Sequence, residues 1–176
     1  MSNDQSVQIR ELTLNDVQAY RELRLRALKE HPEAFGSSYE ESSQRPLEWY
    51  AERLNTKNEN FILGAFIEGK LVGTVGMFQH EGNKDRHKGV IWGMHTAAEA
   101  QGQGIGRTLL ITAIERARQI SDIELLQLSV VTKNSNARNF YISCGFKVYG
   151  LEPHALKLGD SYLDEEHMFM FLRTEK

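Results

Sequence analysis

The chain has 176 residues, 40% of them hydrophobic and 26% charged, which is the make-up of a globular protein long enough to bury its own core. Lys and Arg number 21 against 24 Asp and Glu, a formal net charge of −3; without a cationic excess, no nucleic-acid partner is expected, while a small cationic ligand is compatible. Cys144 is the only cysteine, which excludes a disulfide framework and a cysteine-based metal cluster and suits a reducing compartment.

The opening Met1-Ser-Asn-Asp-Gln-Ser6 has neither the basic start nor the apolar run of a signal peptide, and the apolar runs are shorter than a membrane span. A cytoplasmic chain with no membrane partner is therefore expected. Val7 to Glu11 alternates like a strand, and Thr13-Leu-Asn-Asp16 is a capping box ahead of a helix running to about Glu30. Val17, Tyr20, Leu23, Leu25 and Leu28 form its apolar side, and its charged residues read as a solvated outer face. Pro32 ends that helix, because it has no N–H to give to the ladder. A second short helix starts near Pro46 and carries Leu47, Trp49, Tyr50 and Leu54.

Phe61 to Ile67 and Leu71 to Phe78 are apolar runs joined by Glu68-Gly69-Lys70, a hairpin signal. The polar loop His80 to His87 leads into a third strand, Val90 to Thr96, and the three make an antiparallel meander. His80 and His87 lack a third ligand at useful spacing, so no metal is expected. A helix follows from about Ile105 to Ile120, then a strand from Ile123 to Val131. A short helix opens at Asn134 and stops at Gly145, and Phe146 to Leu151 and His167 to Leu172 are two closing strands.

Chemistry concentrates in Gln101-Gly-Gln-Gly-Ile-Gly-Arg107, between the third strand and the helix whose Ile105, Leu109, Ala113 and Ala117 share one face. Glycines at a helix N-terminus let an anion approach unpaired N–H groups at the positive end of the helix dipole. No Gly-Lys-Ser/Thr follows, as a P-loop needs, and the spacing is Gly-x-Gly-x-Gly rather than the dinucleotide Gly-x-Gly-x-x-Gly. Gln101, Gly104 and Gly106 instead satisfy Gln/Arg-x-x-Gly-x-Gly/Ala. In this motif the chain resembles the GNAT superfamily of N-acetyltransferases, which bind the pyrophosphate of acetyl-CoA with such a loop. A second family motif follows about thirty residues on: Asn134-x-x-Ala137-x-x-Phe140-Tyr141, then Gly145-Phe146.

The resemblance implies a single N-acetyltransferase domain over residues 1–176, with its specific motifs within 90–146. It implies an α/β fold with a mixed, mostly antiparallel, twisted sheet of six to seven strands flanked by helices, strands four and five splayed. It also implies acetyl-CoA as co-substrate, a primary amine of a small molecule or a peptide or protein as acceptor, direct attack in a ternary complex, and in some relatives a homodimer. Carried over residue by residue, Met94, His95 and Thr96 would hold the thioester arm, and Gly102, Gln103, Gly104, Ile105, Gly106 and Arg107 the pyrophosphate. Asn134 would bond the pantetheine arm, or only cap its helix. Tyr141 would protonate the leaving thiolate, or only pack in the core. Arg107 would use its side chain, or only its N–H. The segment after the first helix would border the acceptor, so that Glu33, Glu40 and Glu41 either attract a cationic amine or are simply solvated.

An alkylammonium must lose a proton before it attacks, and the motifs do not name the base. No acid lies between Gly89 and Ala98, and Ser129 occupies the position five before Asn134 where some relatives carry Glu. His95, Glu99, Glu40, Glu41, Asp164 and His167 are candidates with no choice among them. Tyr162 to His167 reads either as a lining of the acceptor cleft or as an exposed polar hairpin. Two rivals stay open: a catalytically silent acyl-CoA-binding or sensing domain of the same fold, and a dinucleotide-binding domain.

Overall fold

The computed structural model describes residues 6–55 and 59–173. Strand β1 (Val7–Glu11) leads through a 3₁₀ turn into helix α1 (Val17–Glu30). The capping box forms: the Thr13 N–H donates to Asp16 Oδ2 at 2.8 Å, and Arg10 binds the same carboxylate with two bonds of 2.8 Å. A 3₁₀ turn at Pro32–Ala34 and two short helices follow, α2 (Tyr39–Ser43) and α3 (Leu47–Leu54). Helix α2 is additional to the expected elements. It is five residues long and starts where Ser38 Oγ accepts the Glu41 N–H at 3.2 Å.

Strands β2 (Phe61–Ile67), β3 (Lys70–Gln79) and β4 (Lys88–Thr96) form the meander. The hairpin between β2 and β3 turns on two residues with positive φ, Glu68 at 49° and Gly69 at 79°, the combination whose twist matches that of the strands. Helix α4 (Ile105–Gln119), strand β5 (Leu125–Val131), helix α5 (Ser135–Ser143) and strands β6 (Lys147–Leu158) and β7 (Ser161–Phe171) complete the order. All seven strands join one mixed sheet in the order β1-β2-β3-β4-β5-β7-β6, with β4 and β5 parallel and the other pairs antiparallel.

The closing strands run further than the apolar pattern indicated. Strand β6 continues through Pro153 to Leu158, and Tyr162 to His167 lie inside β7, the second arm of the hairpin that the two strands form. Two register shifts, at Val148/Gly150 and Glu152/Leu156, break the period-2 alternation, and an edge strand tolerates a proline.

One face of the sheet packs on α4, whose Leu109, Leu110, Ala113 and Ala117 are fully buried against Val75, Leu126 and Met168. The other face, over β2 and β3, is covered by α1 and α3 through Tyr20, Leu23, Tyr50 and Leu54. The outer side of α1 is less open than its charges suggested. Arg24 turns inward, its guanidinium 4.7 Å from the Phe35 ring, and burial lowers its pKa. Over β5, β7 and β6 that same face leaves Ser129, Tyr149 and Phe171 exposed.

Candidate active site

The glycine loop acts through backbone shape. Gly102 and Gly104 have φ of 75° and 77°, a conformation open to glycine at little cost, and the space where each would carry a Cβ is empty to 4 Å. Gly104 is the N-cap of α4, so the N–H groups of Ile105, Gly106 and Arg107 in the first turn have no intrahelical acceptor. Ile105 buries its side chain in the core and is 2% exposed; it has only its N–H to offer. Gly106 packs where a Cβ would stand 3.4 Å from Thr96 Oγ1 and 3.5 Å from Met94 Cε, which brings the helix end against β4.

The polar side chains of the loop brace it. Gln101 Nε2 donates to Thr96 O at 3.0 Å, Gln103 Nε2 to Glu99 O at 3.3 Å, and Arg107 to Ser143 Oγ on α5 at 2.7 Å. In this geometry Arg107 offers a ligand its N–H, while its guanidinium ties α4 to α5.

Beside this helix end the sheet opens. Parallel pairing of β4 with β5 runs from Lys88↔Leu125 to Val90↔Gln127 and stops. On its other edge β4 bulges: Thr74 pairs with His95 and Gly76 with Trp92, so Gly93 and Met94 together oppose one residue of β3. Gly93 takes φ of 60°, and Thr74 Oγ1 donates to its carbonyl at 3.2 Å. A bulge bends its strand and leaves backbone groups outside the ladder. The end of β4 therefore swings away from β5, and the expected splay is present.

A cleft of about 750 Å³ fills the opening. Met94, His95 and Thr96 form one wall, Asn134 and Tyr141 the facing one, Gly102 and Gly106 the end, and His31, Glu33 and Phe35 the rim. A smaller hollow of about 320 Å³ continues over Gly104, Ile105 and Arg107. The two spaces bring together every site residue expected from the motifs except Gln103, whose side chain is bound back to the loop.

The side chains in the cleft differ in what they can do. Asn134 Oδ1 accepts the Ala137 N–H at 3.1 Å, so the residue caps α5 and keeps its amide N–H groups for the cleft. Tyr141 packs against Phe140 and Phe146, with ring centroids at 5.4 and 6.1 Å. Burial pushes its phenol well above the usual value, so at neutral pH it is a proton donor, and its hydroxyl has no protein hydrogen bond among the described residues. His95 is 8% exposed and its Nε2 is buried without a partner; burial, with His31 nearby, lowers its pKa to about 4.

Of the other base candidates from the sequence, Glu99 and Asp164 are engaged elsewhere, and Glu40 and Glu41 lie away from the cleft. Glu99 is held by Arg26 at 2.7 Å and Lys70 at 3.3 Å, and Arg26 lowers its pKa to about 2. Asp164 Oδ1 accepts the His154 N–H at 2.8 Å. Glu40 and Glu41 sit in the first turn of α2, outside the cleft walls, whereas Glu33 stands on its rim. Glu165 escaped the sequence reading. It is paired with the cleft residue Val131 across β5 and β7, and burial raises its pKa. Among the described residues no group of three His, Cys, Asp or Glu side chains is placed to hold a metal, and no helix is long and apolar enough to cross a membrane.

The site is thus a helix end with free N–H groups beside a parted pair of parallel strands in an α/β domain, a geometry suited to an anion. The profile of the acetyltransferase (GNAT) family matches residues 24–146, and the chain belongs to that family. It is an acyltransferase of the N-acetyltransferase kind. Among solved structures, a GNAT-family acetyltransferase from Streptococcus pneumoniae is similar at 24% identity and TM-score 0.84, over 94% of this chain and 99% of that one. A Salmonella typhimurium chain solved with its cofactor acetyl-CoA is similar at 20% identity and TM-score 0.80, over 97% and 96%. The ribosomal-protein-alanine N-acetyltransferase from Brucella melitensis is similar at 25% identity and TM-score 0.77, over 93% and 99%.

Proposed function

We propose that the protein transfers the acetyl group of acetyl-CoA to a primary amine by direct attack, both substrates being bound together in the cleft. The observation that carries this reading is the junction of three features in one space: the bare helix end at Gly102 to Arg107, the parted edges of β4 and β5, and the protonated Tyr141. The loop glycines fit a pyrophosphate, since no Cβ fills the space above Gly102 and Gly104. Acetyl-CoA supplies an acetyl group activated as a thioester.

The residues divide the work. The N–H groups of Gly102, Gln103, Gly104, Ile105, Gly106 and Arg107 bind phosphate oxygens. Backbone groups of Met94, His95 and Thr96, on the edge where pairing with β5 has ended, hold the thioester arm and polarise its carbonyl. Asn134 donates to the pantetheine arm from the opposite wall. Tyr141 stands on the same wall and donates its proton to the departing sulfur. The acceptor enters past His31 and Glu33, where the carboxylate favours a cation.

The Brucella relative acetylates an alanine of a ribosomal protein by its name, which keeps a protein α-amine among the acceptors beside small amines. One 176-residue catalytic domain working in the cytoplasm is part of the reading. So is a homodimer, supported by exposed Val148 and Leu151 on the edge strand β6, at 38% and 58%. The test is release of CoA thiol from acetyl-CoA over a panel of polyamines, amino acids, peptide N-termini and aminoglycosides. Release with one acceptor class supports the reading and identifies the acceptor. Tight acetyl-CoA binding with no release by any amine would favour a silent acyl-CoA-binding domain instead.

A further inference from the structure

Across the uncovered face of β5, β7 and β6 lies a hydrogen-bonded array that the motifs do not contain. Ser129 Oγ is 2.9 Å from His167 Nδ1, and His167 Nε2 is 3.1 Å from Glu152 Oε2. Sheet register assembles it: Ser129 pairs with His167 across β5 and β7, and Gly150 pairs with His167 across β6. The register shift at Val148/Gly150 brings Glu152 within reach of the ring. With Nε2–H donated to the Glu152 carboxylate, Nδ1 becomes the acceptor and the Ser129 hydroxyl donates to it.

The array borders the catalytic gap. Ser129 is exposed although it lies in mid-strand, because this face of β5 is left uncovered. The last parallel pair is Val90↔Gln127, and the same register would have set Trp92 against Ser129 and Met94 against Val131. Ser129 thus stands beyond the end of that pairing, on the same face of β5 as the cleft residue Val131 two positions on.

We propose that Ser129, His167 and Glu152 form the proton relay that deprotonates the acceptor ammonium, a deepening of the amine-acetylation reading on which it rests. The ammonium N–H bond breaks as its proton passes to Ser129 Oγ, while the Ser129 proton passes to His167 Nδ1. The neutral amine keeps the electron pair with which it attacks. Glu152 holds the resulting imidazolium, which then returns its proton to water. Ser129 touches the acceptor, and His167 and Glu152 act through it. The groups facing the imidazole are Ser129 from β5, Tyr149 and Glu152 from β6, and Glu165 on its own strand, whose pKa His167 pulls down against burial. This acidic surround suits an alkylammonium acceptor.

The test compares two acceptors, an alkylamine and a weakly basic arylamine or hydrazide that is already neutral at pH 7, with His167→Gln, Ser129→Ala and the exposed-strand variant Glu152→Gln. For the alkylamine, kcat/KM at pH 7 falls about 100-fold or more in His167→Gln and Ser129→Ala and by a smaller factor in Glu152→Gln. The loss shrinks for the neutral acceptor. In His167→Gln the rate with the alkylamine keeps climbing towards the amine's own pKa of about 10.4, where the wild type has already levelled off. Thermal stabilisation by acetyl-CoA stays as in the wild type. Variants that keep full activity, or lose it equally with both acceptors and at every pH, overturn the relay alone. A wild type that binds acetyl-CoA and acetylates no amine overturns the function reading, and the relay with it.

Discussion

Gly104→Ala isolates what the loop geometry contributes. Gly104 caps α4 at φ 77° and ψ 1°, and no heavy atom lies within 4 Å of the Cβ that alanine would add. The penalty is thus backbone strain alone. Holding an L-residue in the left-handed region costs about 1–2 kcal/mol, and the narrower unfolded ensemble of alanine returns about 0.4–1 kcal/mol of the gross benefit when strain is absent. A net loss of about 1 kcal/mol follows, which in a chain of this size lowers Tm by about 2–4 °C. If the variant relieves strain by rotating the peptide, the N–H groups leave the phosphate position, and acetyl-CoA binding weakens by about tenfold, equivalent to about 1.4 kcal/mol. Differential scanning fluorimetry with and without acetyl-CoA reads both effects. Gly104→Asn should lose less on both counts, because asparagine visits this conformation more readily. An alanine variant as stable as the wild type, with unchanged acetyl-CoA affinity, would refute the reasoning about this turn.

Two further predictions concern acid. The Arg10 guanidinium lowers the pKa of Asp16 from 3.8 to about 2, so this pair stabilises the fold above pH 3.8 and its contribution fades as pH falls towards 2. Asp16→Asn should cost about 1–2 kcal/mol at pH 7, discounted for the solvent around Arg10, and much less near pH 2; urea titrations showing an equal loss at both pH values would contradict it. His95 stays neutral in the fold down to about pH 4, against 6.5 for a free histidine. The unfolded chain binds the extra proton between those values, so stability falls as pH drops from 6.5 to 4. His95→Phe should flatten that part of the stability profile, and an unchanged slope would mean that His95 is not its source.

How much could be read from residues alone depended on the range of the interaction. The α4 stripe of Ile105, Leu109, Ala113 and Ala117, the Thr13–Asp16 box and the Glu68-Gly69 hairpin are local patterns, and all form where expected. The two motifs, far apart in the chain, meet in one cleft because β4 and β5 are neighbours in the sheet. Helix α2 was missed because five residues carry no periodicity, and its only signal was the capping residue Ser38. The polar half of β6 and β7 was missed because an exposed edge hairpin needs no apolar alternation. The array of Ser129, Glu152 and His167 depends on the sheet order β5-β7-β6 and on a bulge. Nothing in the spacing of residues 129, 152 and 167 indicates that they touch. The inward turn of Arg24 likewise comes from the packing of Phe35 over α1.

The most direct test is amine-dependent release of CoA thiol by the wild type and by Tyr141→Phe, measured alongside acetyl-CoA affinity. The phenol has no protein hydrogen bond to lose among the described residues, and its ring packing survives in phenylalanine, so the fold should be kept with little change in stability. Acetyl-CoA should bind both proteins equally, and turnover should fall about 100-fold or more in the variant. Failure of the wild type to bind acetyl-CoA would contradict the account at its root, and full turnover by Tyr141→Phe would remove Tyr141 as the acid.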